Sequence, residues 1–83
     1  MDHKEPTYAD LFNLLRSLEF SEHTTGASRK IFEHAATDTV LLFSVATQDQ
    51  TVRDADYVSA QVHLLAKGLI GGPLEILLRR EPL

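Results

Sequence analysis

The residues best suited to chemistry lie in one short stretch, Ser28-Arg29-Lys30, which follows Gly26 and leads into an apolar run. A hydroxyl, a guanidinium and an ammonium group placed together can bind phosphate or stabilise negative charge. Arg29 stays protonated at neutral pH, so it cannot exchange a proton as a histidine does. The stretch predicts an anion-binding surface; the alternative is that these are ordinary solvated residues at the end of a strand.

The four histidines do not form a pattern typical of a metal site. His23 and His34 fall on predicted strands that run in opposite directions. If His23 lies near Arg29, His34 is five residues farther along the strand, about 15 Å away. His63 neighbours an apolar helix position, where a boundary residue is the more common role. No nucleophile motif surrounds Ser28. We therefore expect neither a metal ion nor a cofactor.

Length and composition restrict the classes of protein to which the chain can belong. With 83 residues, 43% of them hydrophobic, it is one small domain with a thin core. The absence of cysteine excludes disulfides and thiolate zinc sites and makes a cytoplasmic location the simplest. No signal peptide or membrane span is predicted. The net charge of -4 argues against strong nonspecific binding to nucleic acid, which needs a clustered positive field.

Two amphipathic helices are predicted to position these residues. The first starts at a capping box formed by Thr7 and Asp10, and its apolar residues recur every three or four positions. They are Tyr8, Leu11, Leu15 and Leu18, with Phe12 and Leu14 widening the face. The second runs from Asp54 to Lys67 and ends at Gly68. Its predicted stripe is Val58, Val62, Leu65 and Leu69, with Ala55 at its start.

Three β-prone runs, 19–23, 28–34 and 39–45, lie between the helices, and their short connections predict an antiparallel meander. In the second run Lys30 alternates to one side and Arg29 to the other. The order α-β-β-β-α predicts an α+β fold, with a three-stranded antiparallel sheet and two helices on one face. The domain spans 1–83, with a core of about 8–70. The expected helix–sheet core comprises Leu11, Leu15, Leu18, Val58, Val62 and Leu65.

Two features favour contact with another chain. The third strand is apolar on both sides, so one face of the sheet would be left open. The C-terminal appendage, 71–83, carries an apolar cluster that either packs back onto the domain or closes a homodimer. This cluster comprises Leu74, Ile76, Leu77 and Leu78.

Short motifs in this order resemble the small HicA-type toxins of bacterial toxin–antitoxin pairs, including the YcfA-like proteins. Leu15-Arg16-Ser17-Leu18-Glu19-Phe20 is similar to the family's Leu-x-x-Leu-Gly-Phe, with Glu19 in place of the glycine. Residues 27–32, Ala-Ser-Arg-Lys-Ile-Phe, are similar to its Gly-Ser-His-x-x-Phe, with Arg29 in place of the histidine. Residues 52–57 and Lys67-Gly68-Leu69 resemble the second helix and its Gly-Leu end. The resemblance covers about 8–70.

The resemblance implies a fold similar to the double-stranded-RNA-binding domain and, in active members, a metal-independent ribonuclease that cleaves messenger RNA (an mRNA interferase). It places Arg29 at the position of the proposed catalytic histidine, which implies impaired cleavage. It also implies RNA binding by Ser28, Arg29 and Lys30, with RNA and an antitoxin protein as partners. The alternative is a non-catalytic interaction module, either a homodimer or a partner-binding protein, that keeps the fold.

Overall fold

The computed structural model describes residues 6–26, 28–45 and 47–74. Its elements are, in order, α1 (Tyr8–Ser17), β1 (Ser21–Thr25), β2 (Arg29–His34), a 3-10 turn (Ala35–Thr37), β3 (Thr39–Ser44) and α2 (Asp54–Ala66). The strands form one antiparallel sheet in the order β1-β2-β3. The predicted α+β fold with the order α-β-β-β-α is therefore confirmed.

The first turn of α1 has a hydrogen-bond partner for each of its leading N–H groups. Thr7 Oγ1 accepts from the Asp10 N–H at 3.3 Å, and Asp10 Oδ2 accepts from the Thr7 N–H at 3.1 Å, which confirms the predicted capping box. The N–H groups of Tyr8 and Ala9 donate at 2.9 Å to carbonyl groups in the loop 47–53. This loop therefore supplies acceptors that the helix itself lacks.

Helix α1 ends in a Schellman motif whose left-handed residue is Glu19, with φ 73°. The Phe20 N–H donates to Leu15 O and the Glu19 N–H donates to Arg16 O, each at 3.0 Å, which is the bond pair typical of that motif. Phe20 then packs into the core. The prediction that the first strand begins at Glu19 is wrong, because Glu19 and Phe20 close the helix; β1 begins at Ser21.

Helix α2 ends in the same way, with Gly68 at φ 72°. The Gly68 N–H donates to Leu65 O at 3.1 Å and the Leu69 N–H donates to Leu64 O at 2.9 Å. The predicted stop at Gly68 is thus confirmed, and Leu69 packs at the edge of the core.

Both helices pack on the sheet face that carries Phe32, Leu41 and Phe43. The ring centroid of Phe12, on α1, lies 4.8 Å from that of Phe32 and 5.5 Å from that of Phe43. The predicted core positions on α1 are confirmed for Leu11 and Leu15, which are fully buried, whereas Leu18 is partly buried.

The face that α2 turns to the sheet differs from the predicted one. Ala60 and Leu64 are fully buried, whereas Val58 and Val62 are more than half exposed and Leu65 is 43% exposed. The prediction that Val58, Val62 and Leu65 belong to the core is therefore wrong. The small side chain of Ala60 lets the helix approach the sheet closely, and Leu64 fills the space one turn later.

The C-terminal appendage begins by packing back onto the domain. Leu74 is fully buried, and its N–H donates to Gln61 Oε1, on α2, at 2.8 Å. The rest of the predicted apolar cluster, Ile76, Leu77 and Leu78, lies outside the described residues.

Candidate binding site on the open sheet face

The second face of the sheet is open to solvent. Because side chains alternate along a strand, Arg29, Ile31 and Glu33 of β2 share this face. Their cross-strand neighbours are Ser21, His23 and Thr25 on β1 and Val40, Leu42 and Ser44 on β3. All nine are exposed except Ile31, which is half-buried. We refer to these nine residues as the open face.

The apolar residues of the open face run from its middle to its β3 edge, and its other positions are polar. Ile31 pairs with Leu42, and Val40 stands beside them opposite Glu33. Val40 is 53% exposed and Leu42 is 57% exposed, although both are branched apolar residues, whereas Ile31 is half-buried. We refer to Ile31, Val40 and Leu42 as the apolar patch; exposed apolar patches bordered by polar residues are typical of protein–protein interfaces.

The predicted anion-binding residues do not lie together on this face. Ser28 is exposed in the turn between β1 and β2, and Arg29 is exposed on the open face. Lys30 is half-buried on the opposite, helix-covered side, where its Nζ lies 2.9 Å from Glu22 Oε2. Consecutive strand residues point to opposite faces, so one ligand on the open face meets Arg29 without Lys30.

Glu22 forms ion pairs with two cations at once. Its Oε1 accepts from Arg16 Nε at 2.9 Å and lies 2.8 Å from Arg16 Nη2, while its Oε2 accepts from Lys30. The hydrogen bond from Lys30, together with that from Arg16, holds the pKa of Glu22 below its ordinary value of 4.5. No motif in the sequence indicates this cluster, because it depends on the register of β1 against β2 and on where α1 ends.

Few cations are left to meet an anionic ligand. Within residues 6–26, 28–45 and 47–74, Arg16 and Lys30 pair with Glu22, and Arg53 pairs with Asp56. In the same ranges Arg29 and Lys67 form no ion pair, and Arg29 is the one cation of the open face besides His23, which is charged only when protonated.

A second polar cluster joins the first turns of the two helices. The Tyr8 hydroxyl donates to Asp56 Oδ2 at 2.5 Å and accepts from the Arg53 N–H at 3.2 Å. The Arg53 guanidinium lies 5.8 Å from the Tyr8 ring centroid and donates to Ser44 O. Burial and the Asp56 bond raise the pKa of Tyr8. Tyr8 is fully buried, whereas the Arg53 side chain is half exposed, and the cluster joins the first turns of the two helices.

The three histidines in the described ranges lie in separate places. His23 Nε2 is 3.5 Å from Glu33 Oε1 on the open face. His34 Nδ1 is 2.9 Å from Thr37 Oγ1 on the covered side, and His63 Nδ1 donates to a carbonyl one turn earlier in α2. Across the residues that the structure describes, no group of three or more potential ligands could hold a metal ion. No helix in those residues is long and apolar enough to cross a membrane.

No protein-family model, curated protein or solved structure matches the chain. On the open face Arg29 provides one fixed positive charge, and His23 lies against Glu33. A fixed cation beside the apolar patch suits the binding of a partner.

Proposed function

We propose that this chain is a HicA-like toxin-fold protein, similar in fold to the double-stranded-RNA-binding domain, that acts in the cytoplasm as a non-catalytic binding module. It binds a protein partner through the open face. The observation that carries this proposal is the apolar patch, in which Val40 and Leu42 are exposed and Ile31 is half-buried, on the same face as a single fixed cation, Arg29.

Two backbone positions support the HicA-like part of the proposal. The family has glycine where Glu19 stands, and Glu19 has φ 73°, a conformation that favours glycine. The family's Gly-Leu corresponds to Gly68 and Leu69, which close α2 with a glycine at φ 72°. Both motifs therefore fall where their residue types have a conformational reason to occur.

The lack of cleavage follows from Arg29, which occupies the position of the family's histidine. A guanidinium stays protonated at neutral pH and cannot accept the proton of an attacking hydroxyl. His23 shares the face with Arg29, but its ring lies against Glu33. Arg29 can hold an anion in place, but its own side chain cannot act as the general base that the family's histidine would supply.

A protein partner suits the open face better than RNA does. Strong binding to RNA needs several cations that track phosphates, and Arg16, Lys30 and Arg53 are already held in ion pairs with carboxylates. The net charge of -4 acts in the same direction. The HicA resemblance implies that the partner is an antitoxin protein, which would cover the apolar patch.

Ribonuclease assays on the unaltered chain and on Arg29→His test the loss of cleavage. We expect no cleavage of single-stranded RNA by the unaltered chain. If histidine completes an otherwise intact site, Arg29→His gains cleavage and Lys67→His, which changes a cation elsewhere, does not. If the unaltered chain cleaves RNA strongly and Arg29→Ala leaves the rate unchanged, the proposal is wrong.

RNA binding without cleavage is the second candidate function, and the exposure of Arg29 beside the turn that holds Ser28 favours it. With one cation contacting phosphate, the logarithm of the binding constant should fall against the logarithm of salt with a slope of about -0.7. Arg29→Ala should remove this dependence, and Lys67→Ala should leave it unchanged. A slope that survives Arg29→Ala would place RNA elsewhere.

A further inference from the structure

We infer that the open face binds a second copy of this chain, with the two β2 strands antiparallel and Arg29 of each copy against Glu33 of the other. This inference rests on the proposed function, because it names a second copy of the chain, in place of an antitoxin protein, as the partner of the same face. Two opposite charges, Arg29 and Glu33, lie on either side of Ile31 on this face.

The open face consists of three rows that cross the sheet. The middle row contains Ile31 between His23 and Leu42. Arg29 lies in the row on one side and Glu33 in the row on the other, each two residues from Ile31. At the rise of a strand, each charge is about 6.6 Å from the middle row. Opposite charges are therefore placed symmetrically about the centre.

When the strands of the two sheets are aligned, the faces can pack about a two-fold axis in two ways, and the charges select one of them. An axis parallel to the strands sets Arg29 over Arg29 and Glu33 over Glu33, which is repulsive. An axis across the strands, along the middle row, sets Arg29 over the partner's Glu33 and Glu33 over the partner's Arg29. Packed sheets are about 10 Å apart, a gap that an arginine and a glutamate side chain can bridge together.

The apolar residues suit the same arrangement. Ile31 and Leu42 lie on the axis and meet their own copies, and Val40 lies over the partner's Ser44. Formation of the dimer would remove Val40, Leu42 and the accessible part of Ile31 from water. Glu33, which His23 already contacts at 3.5 Å, would then lie between that histidine and the partner's Arg29.

The size of the face sets the strength to expect. Three strands of about six residues cover about 14 Å by 17 Å, an area of about 240 Å². This area is less than the roughly 800 Å² that each partner buries in a standard interface. We therefore expect a dimer with a dissociation constant in the micromolar range or weaker. It should form as protein concentration rises and remain in exchange with the monomer.

Sedimentation equilibrium over a wide concentration range measures this association. Arg29→Glu and Glu33→Arg, tested alone, each place like charges across the axis and should raise the dissociation constant about tenfold or more. The double variant Arg29→Glu/Glu33→Arg restores opposite charges and should return association close to that of the unaltered chain. Lys67→Glu, which makes the same charge change off the open face, should have no such effect beyond its change in net charge.

Mixing the two single variants gives an independent result. The Arg29→Glu variant is acidic at both contact positions and the Glu33→Arg variant is basic at both, so the mixture should associate although neither variant does alone. Circular dichroism checks that each variant is folded. The inference is overturned if the unaltered chain stays monomeric at the highest concentration, or if neither the double variant nor the mixture associates while folded. The proposed function fails separately, through cleavage by the unaltered chain.

Discussion

Tyr8 and Asp56, 48 residues apart in the sequence, share a hydrogen bond of 2.5 Å that joins the first turn of α1 to the first turn of α2. Asp56, Ala60 and Leu64 recur every four residues and therefore lie on one side of α2, the side that meets the rest of the domain. Val62 lies on the other side and is exposed. The bond therefore anchors the side of α2 that is buried.

Replacing Tyr8 with phenylalanine should lower the free energy of unfolding by about 1–2 kcal/mol, because Asp56 and the Arg53 N–H lose their buried partner. Asp56→Asn should also destabilise the fold, whereas Asp54→Asn, a matched change in the same helical turn, should cost less. Denaturant unfolding measures all three. Equal losses for Asp54→Asn and Asp56→Asn would contradict the role assigned to the Tyr8 bond.

Tyr8 should also make stability depend on pH in the alkaline range. Its pKa lies above the ordinary 10.0, so the folded chain holds the phenolic proton more tightly than the unfolded chain. This contribution is present below about pH 10 and is lost as pH rises through the raised pKa. Unfolding measured from about pH 8 to about pH 11 should show a steeper alkaline loss for the unaltered chain than for Tyr8→Phe.

Glu22→Gln should destabilise the fold by about 1 kcal/mol, since it weakens the contacts to Arg16 and Lys30. The pKa of Glu22 is lowered, so its contribution is present above pH 4.5 and is lost as pH falls through the lowered value. Glu19→Gln is the matched control, an exposed glutamate at the end of α1. If Glu22→Gln and Glu19→Gln lose stability alike as pH falls, the ion pairs of Glu22 do not cause the acid loss of stability in the unaltered chain.

Glu19→Gly should stabilise the fold by about 0.5–1 kcal/mol, because a residue with a Cβ is disfavoured by roughly 1–2 kcal/mol in the left-handed region. The greater freedom of glycine in the unfolded chain offsets part of the gain. Glu19→Ala, which keeps the Cβ and removes the charge, should give no comparable gain. Thermal unfolding of the two variants separates backbone relief from a charge effect.

Leu64→Ala and Val62→Ala test which face of α2 meets the core. Leu64 is fully buried, so its truncation should cost about 2–5 kcal/mol. Val62 is 55% exposed, and its truncation should cost less than about 1 kcal/mol. If Val62→Ala loses more stability than Leu64→Ala, Val62 faces the core, as the sequence pattern predicts, and the orientation described here is wrong.

The sequence predicts the order of elements because each boundary has local causes. The capping box of Thr7 and Asp10 and the glycine stop at Gly68 need no knowledge of distant residues. The orientation of α2 is different. Val58, Val62 and Leu65 form its most apolar stripe, and a rule based on hydrophobicity therefore turns that stripe inwards. The structure instead buries Ala60 and Leu64, on the side of α2 that carries Asp56, and the hydrophobic pattern holds no signal of the contact between Tyr8 and Asp56.

The candidate site was predictable in part for the same reason. Alternation along β2 already separates Arg29 from Lys30, and the structure places them on opposite faces. The pairing of Lys30 with Glu22 depends on strand register, which the turn between β1 and β2 sets. The motif at 27–32 therefore locates Arg29 on β2, whereas the pairing of Lys30 with a carboxylate depends on the neighbouring strand β1.

The loop that accepts the first N–H groups of α1 has a consequence for the order of folding. Tyr8 and Ala9 donate to Gln50 O and Gln48 O, about forty residues downstream. During synthesis α1 leaves the ribosome well before these acceptors exist, so the two N–H groups bond to water until the strands and the following loop are in place. We expect the start of α1 to form late, with low φ-values at Tyr8 and Ala9, although α1 is the first helix to be translated.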